Sequence, residues 1–290
     1  MEKRLLSRLL SIYPVSTLRG KWGGGAVGKA VTVEDIIQRA IPEEDIIGFC
    51  SENHTVTKQH VFLLDITERG IASLNDPILA GYSPFFNERL PTEIREFYLL
   101  GVIYTVLVGP SPDYREIDLT FPWPITFHAD ASSLIIYATI LEKNLNAYLS
   151  PGETAIRSRR NIDEDDLVLL TYSGPGGNIG PTKMDINRGI KHLWATDQID
   201  AVYSKWKEAK GTHTQAMDGD FLLKRDDYPY YKEAIRGPLF KTLFRVLNIE
   251  GNTPGIFAAD PSKGELFFNR YSKNPEEVRN VVRAILRANR

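Results

Sequence analysis

Apolar residues recur along this chain in two rhythms, and telling them apart predicts most of its elements. Near the C-terminus Val278, Val281, Val282 and Ile285 fall on one helical stripe. Asn274-Pro275-Glu276-Glu277 introduces it with an Asx residue at the N-cap, proline at N1 and glutamate at N3. At the other end Leu5, Leu6, Leu9 and Leu10 with Ile12 or Tyr13 predict a short amphipathic helix packed on the body. Arg4 and Arg8 interrupt that run too early for a signal peptide. Thr32 is placed to cap another helix. A stripe of Leu134, Ala138, Leu141, Leu145 and Leu149, closed by Pro151-Gly152, predicts a helix after Asp130. Further helices are expected over 196–210 and around Leu239, Leu243, Val246 and Leu247.

The second rhythm is short and rich in β-branched and aromatic residues. It predicts strands at 45–50, 60–66, 102–108, 116–121, 125–128, 166–172, 255–259 and 265–270. Residues 61–64 and 167–170 are apolar throughout, as in strands covered on both faces. Strands and helices alternate without a clean βαβ rhythm. An α/β or α+β protein follows, with mixed sheets and flanking helices. The stretch 150–166 sets Arg157, Arg159 and Arg160 before an acidic run from Asp163 to Asp166. It is either a surface loop or the boundary between an N-terminal α/β lobe, 1–155, and a C-terminal one, 156–290.

Composition narrows the picture. With 290 residues, 42% hydrophobic and 25% charged, the chain can bury a sizeable core. A net charge of −2 gives no footprint for nucleic acid. The single cysteine, Cys50, excludes an intramolecular disulfide and a polycysteine zinc site, and suits a core position. Residues 97–112 form the longest uncharged run, shorter than the roughly 18 residues of a membrane span. A cytoplasmic protein without a membrane partner is expected.

Candidate chemistry centres on EIDLTFPWPITFHAD, residues 116–130. A reversal at Pro122-Trp123-Pro124 would set Asp118 opposite His128 and Glu116 opposite Asp130, with Cβ atoms about 5 Å apart. Facing carboxylates repel, and a divalent cation would relieve them. Glu116, Asp118, His128 and Asp130 are thus candidate ligands for Mn, Fe, Zn or Mg, with Glu116, Asp118 and His128 as candidate catalytic groups. The competing expectation is an ion pair between Asp118 and His128, with Asp130 capping the next helix.

Two glycine loops are candidates for an anionic substrate. GGGAVGKA, residues 23–30, supplies Lys29 but has Ala30 where a phosphate loop needs a hydroxyl. SGPGGNIGP, residues 173–181, offers Gly174, Gly176 and Gly177 at the end of an expected strand, followed by Lys183. Together these predict metal-assisted phosphate or nucleotide chemistry on a phosphate-bearing small molecule. The alternative is a non-catalytic binding or assembly protein, in which Phe85, Phe86, Tyr228, Tyr230 and Tyr231 anchor a protein partner or a second copy.

Overall fold

The computed structural model describes residues 1–23, 32–39, 41–66, 77–79, 81–109, 114–141, 144–172, 181–208 and 211–290, without the side chains of 172 and 208. Four helices come first: α1 (Lys3–Ser11), α2 (Val15–Trp22), α3 (Val33–Gln38) and α4 (Glu43–Glu52). Then follow β1 (Gln59–Asp65), β2 (Phe86–Leu90), β3 (Glu93–Gly109), β4 (Arg115–Asp130), β5 (Ser133–Thr139) and β6 (Thr154–Arg160). The rest comprises α5 (Glu164–Tyr172), β7 (Thr182–Lys183), α6 (Asn187–Ala195), β8 (Ile199–Glu208), β9 (Gly211–Ala216), α7 (Leu223–Asp226) and α8 (Tyr228–Ala234). It ends with β10 (Thr242–Val246), β11 (Ile256–Asp260), β12 (Glu265–Phe268) and α9 (Glu276–Asn289). This is an α+β protein. All twelve described strands form one open antiparallel sheet in the order β2-β3-β4-β5-β1-β12-β11-β10-β8-β9, with β6 beside β3 and β7 beside β1.

Three apolar clusters hold the sheet. Phe62, Leu64, Leu134 and Ile136 face α5, which contributes Leu167 and Val168. Val61, Leu63, Ile135 and Tyr137 point the other way, toward α6 and α9. The N-terminal helices bury Leu9, Leu10, Ile36, Ile46 and Phe49 together with Phe97 of β3. Between β1, β7 and the turn before β12, Gly264 at φ 66° has room only for hydrogen: a Cβ would stand 2.5 Å from the Leu63 carbonyl oxygen.

Several expected elements change type, each for a visible reason. The residues between Leu134 and Ala138 are apolar too, so 133–139 is a strand buried on both faces and not a helix. Residues 199–208 and 242–246 are also strands, paired with one another. Conversely, 166–172 lies in α5, where Asp163 accepts from the Asp165 and Asp166 amides at 2.9 and 3.1 Å. The acidic run there is a helix start. Likewise 45–50 lies in α4, whose first turn holds Glu43, Glu44 and Asp45 against the helix dipole. Thr32 and Asp35 form the capping box of α3. The proposed 155/156 boundary falls inside β6, paired along β3. No helix of the described residues is long and apolar enough to cross a membrane.

The largest departure lies in β4. Residues 115–130 run straight through Pro122-Trp123-Pro124 and pair continuously with β3 from Arg115↔Val108 to Asp130↔Glu93. On the other edge β5 pairs only with residues 125–129. The ladder stops where Pro124 has no N–H to give. There the imidazole of His54 takes over: Nε2 donates to the Pro124 carbonyl at 3.0 Å and lies 3.0 Å from Thr139 Oγ1. Nδ1 accepts from the Thr126 hydroxyl at 2.7 Å. A residue's N–H and C=O share one side of a strand. The Pro124 carbonyl turned to His54 therefore puts the missing donor on that outer edge, away from the β3 ladder.

Burial pushes the His54 imidazole down from 6.5 to about 3, so it stays neutral. Between those values the unfolded chain binds a proton that the folded chain refuses. His54 thus contributes stability above about pH 6.5 that is lost as pH falls toward 3. In urea titrations, His54→Gln should be less stable than the parent at pH 7. The parent should lose up to ~1.4 kcal/mol more per pH unit than the variant between pH 6 and 4. Equal slopes would place the proton uptake elsewhere.

Candidate functional site

The straight course of β4 separates the four expected metal ligands. At about 3.3 Å rise per residue, Asp118 and His128 stand roughly 33 Å apart. Asp118 and Glu116 are exposed near one end, where Asp118 accepts from Thr105 Oγ1 at 2.9 Å. His128 pairs with Glu93 of β3. Asp130 closes the turn into β5, accepting from the Ser132 and Ser133 amides at 2.8 Å each. Burial works to raise its pKa, but those amides and Arg290 hold it below the ordinary carboxylate value. It caps a strand turn and no helix follows. Neither the metal cluster nor the ion pair between Asp118 and His128 is assembled. Among the described residues no group of three or more His, Cys, Asp or Glu side chains could hold a metal ion.

Of the expected substrate contacts, Gly174, Gly176, Gly177 and Lys29 lie outside the described residues. Lys183 is described, and its charge is taken: Nζ lies 3.2 Å from Glu265 and 3.5 Å from Asp165. Burial acts to raise Glu265, yet His60 and Lys183 hold its carboxyl below its usual value. These groups tie β7 and α5 to the sheet.

A better-assembled site lies beside the His54 splice. A cleft of about 360 Å³ opens where α1, the start of β1, the end of β5 and the segment after β12 converge. Arg8, Ser11, Lys58, Tyr148, Asn269 and Tyr271 line it, over Phe121, Thr139 and Leu141. These positions come from six separate parts of the sequence, as expected of a binding site built by tertiary structure.

Charge distinguishes this cleft. Arg8 is only 6% exposed, yet among the described residues no carboxylate lies within ion-pair distance of it. Its guanidinium lies 4.5 Å over the Phe121 ring and 5.2 Å from the Tyr148 ring centre, and it donates to the Thr120 carbonyl. Burial, helped by Arg4, lowers its pKa below the ordinary arginine value. The charge persists regardless, because the group titrates far above neutrality. Lys58 Nζ lies 5.4 Å from the Tyr271 ring centre and makes no ion pair among the described residues. Two cations, ring faces, an amide and hydroxyls thus surround one space without an acidic side chain among the described lining residues.

The sequence held one signal for this site. Arg8 interrupts the leucine run of α1 at the margin of its apolar face, and only the fold shows that this charge is buried. Nothing local linked it to Lys58 or Tyr148. The comparison of Asp118 with Asp130 tests the corrected placement. Asp118→Ala should change the unfolding free energy by no more than ~0.5 kcal/mol, as at an exposed site. Asp130→Ala, which orphans two turn amides, should cost about 1–2 kcal/mol in the same urea titration. Comparison of the chain with protein-family models, with curated proteins and with solved structures finds no match.

Proposed function

We propose that this protein binds a small anionic molecule, phosphate- or carboxylate-bearing with a planar apolar part, in the cleft between Arg8 and Lys58. The supporting observation is the buried guanidinium of Arg8, stacked on aromatic rings and lacking a carboxylate among the described residues. A cation removed from water is costly unless paired, and a bound anion supplies the pair. A guanidinium presents a fork that suits phosphate or carboxylate oxygens, and Lys58 adds a point charge across the space. The ring of Tyr148, beside the Arg8 guanidinium, adds an aromatic wall for a planar group. This keeps the anionic ligand expected from the sequence while moving it to different residues. The reading is of a binding site. It assigns no bond-making step: the described lining groups are cations, hydroxyls, an amide and apolar side chains.

Phenyl phosphate and its uncharged counterpart phenol separate the charge requirement from ring stacking. Ten times the dissociation constant of a ligand contributes about 1.4 kcal/mol, worth roughly 2 °C for a chain of this size. Phenyl phosphate should raise Tm by that amount, inorganic phosphate less and phenol hardly at all. In calorimetric titration Lys58→Ala should weaken phenyl phosphate about tenfold while leaving the ligand-free Tm nearly unchanged. Equal responses to phenol and phenyl phosphate, or an unaltered Lys58→Ala variant, would remove the proposal.

A further inference from the structure

A second surface, formed by different residues, has the opposite electrostatic character. At one end of the sheet β2 has β3 on one side and no strand on the other among the described residues. Every residue of β2 is exposed. Phe85 is 56% and Phe86 40% exposed, and together with Ile47 of α4 they line a groove of about 620 Å³. Large aromatic rings left in water beside an open strand edge carry a cost that a partner would relieve.

The charges around the groove indicate which partner. Glu43, Glu44 and Glu52 rim it, and Glu88 stands on the same face of β2 as Phe86. Glu43 is held by the amino terminus. Glu44, Glu52 and Glu88 make no ion pair among the described residues. Arg95, the one cation among the described lining residues, is directed inward: it donates to the Ser51 carbonyl at 3.2 Å and lies 5.7 Å from the Phe86 ring centre. Glu44 and Glu52 on α4, with Glu88 sharing the charge of Arg95 opposite it on β3, are spread along an apolar floor and fit several cations on one chain better than a single small ion. Self-association through this face would stack carboxylates against carboxylates, because a two-fold interface pairs a patch with itself.

We propose that this groove docks an extended segment of a partner protein, aligned along β2, with lysines or arginines flanking an aliphatic or aromatic anchor. Main-chain hydrogen bonds to the open edge would supply register. The Phe85–Phe86–Ile47 floor would take the anchor, and Glu44, Glu52 and Glu88 would select for cations.

The test uses fluorescein-labelled KKVFVKK, with EEVFVEE as its charge-reversed control, in polarisation titrations against the full chain. The basic peptide should bind, lose affinity steeply between 50 and 300 mM salt, and outcompete the acidic one. Glu44→Lys combined with Glu52→Lys should weaken it about tenfold or more, as should Glu88→Lys, and Phe85→Ser should weaken it with the salt dependence retained. All of these positions are exposed, so circular dichroism should match the parent; Tm should fall only slightly, because Glu44→Lys gives up a favourable charge at the α4 start and Glu88→Lys faces Arg95. If one variant fails this check, the others still decide. No binding of the basic peptide, or equal affinity for parent and charge-reversed variants, would overturn the proposal. So would a dimer in sedimentation that Phe85→Ser dissolves.

Discussion

The arrangement of this molecule depends on two buried side chains that complete a ladder proline interrupts: the His54 imidazole donates to the Pro124 carbonyl, and the Trp123 indole serves the Thr139 carbonyl that a backbone amide at 124 would have reached. β4 carries two prolines through the middle of a sheet, a place where the ladder ordinarily excludes them. They are accommodated because β5 ends its pairing at Ile125↔Ala138 and His54 bridges the next position, between the Pro124 carbonyl and Thr139. Thr57 and Gln59 extend the network, with Thr57 Oγ1 3.0 Å from Thr139 Oγ1 and Gln59 donating to the His54 carbonyl at 2.9 Å. A buried polar network of this kind is favourable when its members are paired.

From that splice the site geometry follows. Because the chain does not reverse at Trp123, β4 stays long enough to pair with all of β3, and its acids are distributed along its length instead of being gathered. Trp123 instead points into the core, its Nε1 donating to the Thr139 carbonyl at 2.7 Å. The end of the β5 ladder leaves room beside Thr139, and Arg8 and Lys58 meet there. The cleft and the fold thus share an origin: the sheet opens where proline ends the pairing.

Buried charge elsewhere is consistently matched. Glu96 is fully buried and accepts from the Ile78 amide, the Tyr98 hydroxyl and Arg89. Asp200, also buried, receives the Trp194 indole at 2.7 Å and the amides of Lys224 and Arg225 at 2.9 and 3.1 Å. Each clamps a surface segment to the sheet. Against that background Arg8 and Lys58 in the cleft, and Glu44 and Glu52 near β2, stand out as charges without an ion pair among the described residues, on separate surfaces and with opposite sign.

The sequence by itself determined what local chemistry can encode. The capping signals at Thr32 and Asn274 specified α3 and α9, because a cap needs only neighbouring amides. The uniformly apolar 61–64 specified a strand covered on both faces. A fold combining helices and strands, α/β or α+β, followed from the mixture of periods. Tertiary structure decided the rest. At 133–139 the stripe through Leu134 and Ala138 read as a helix, and strands pairing on both sides made it a buried strand; at 164–172 an acidic run served a helix start where an apolar tail suggested a strand. Proline at 122 and 124 reads locally as a turn; unbroken pairing with β3, with a histidine some seventy positions away on the free edge, makes it part of a strand. The candidate cleft was illegible for the same reason: its residues are joined by packing across the sheet, and no spacing along the chain records which of them meet.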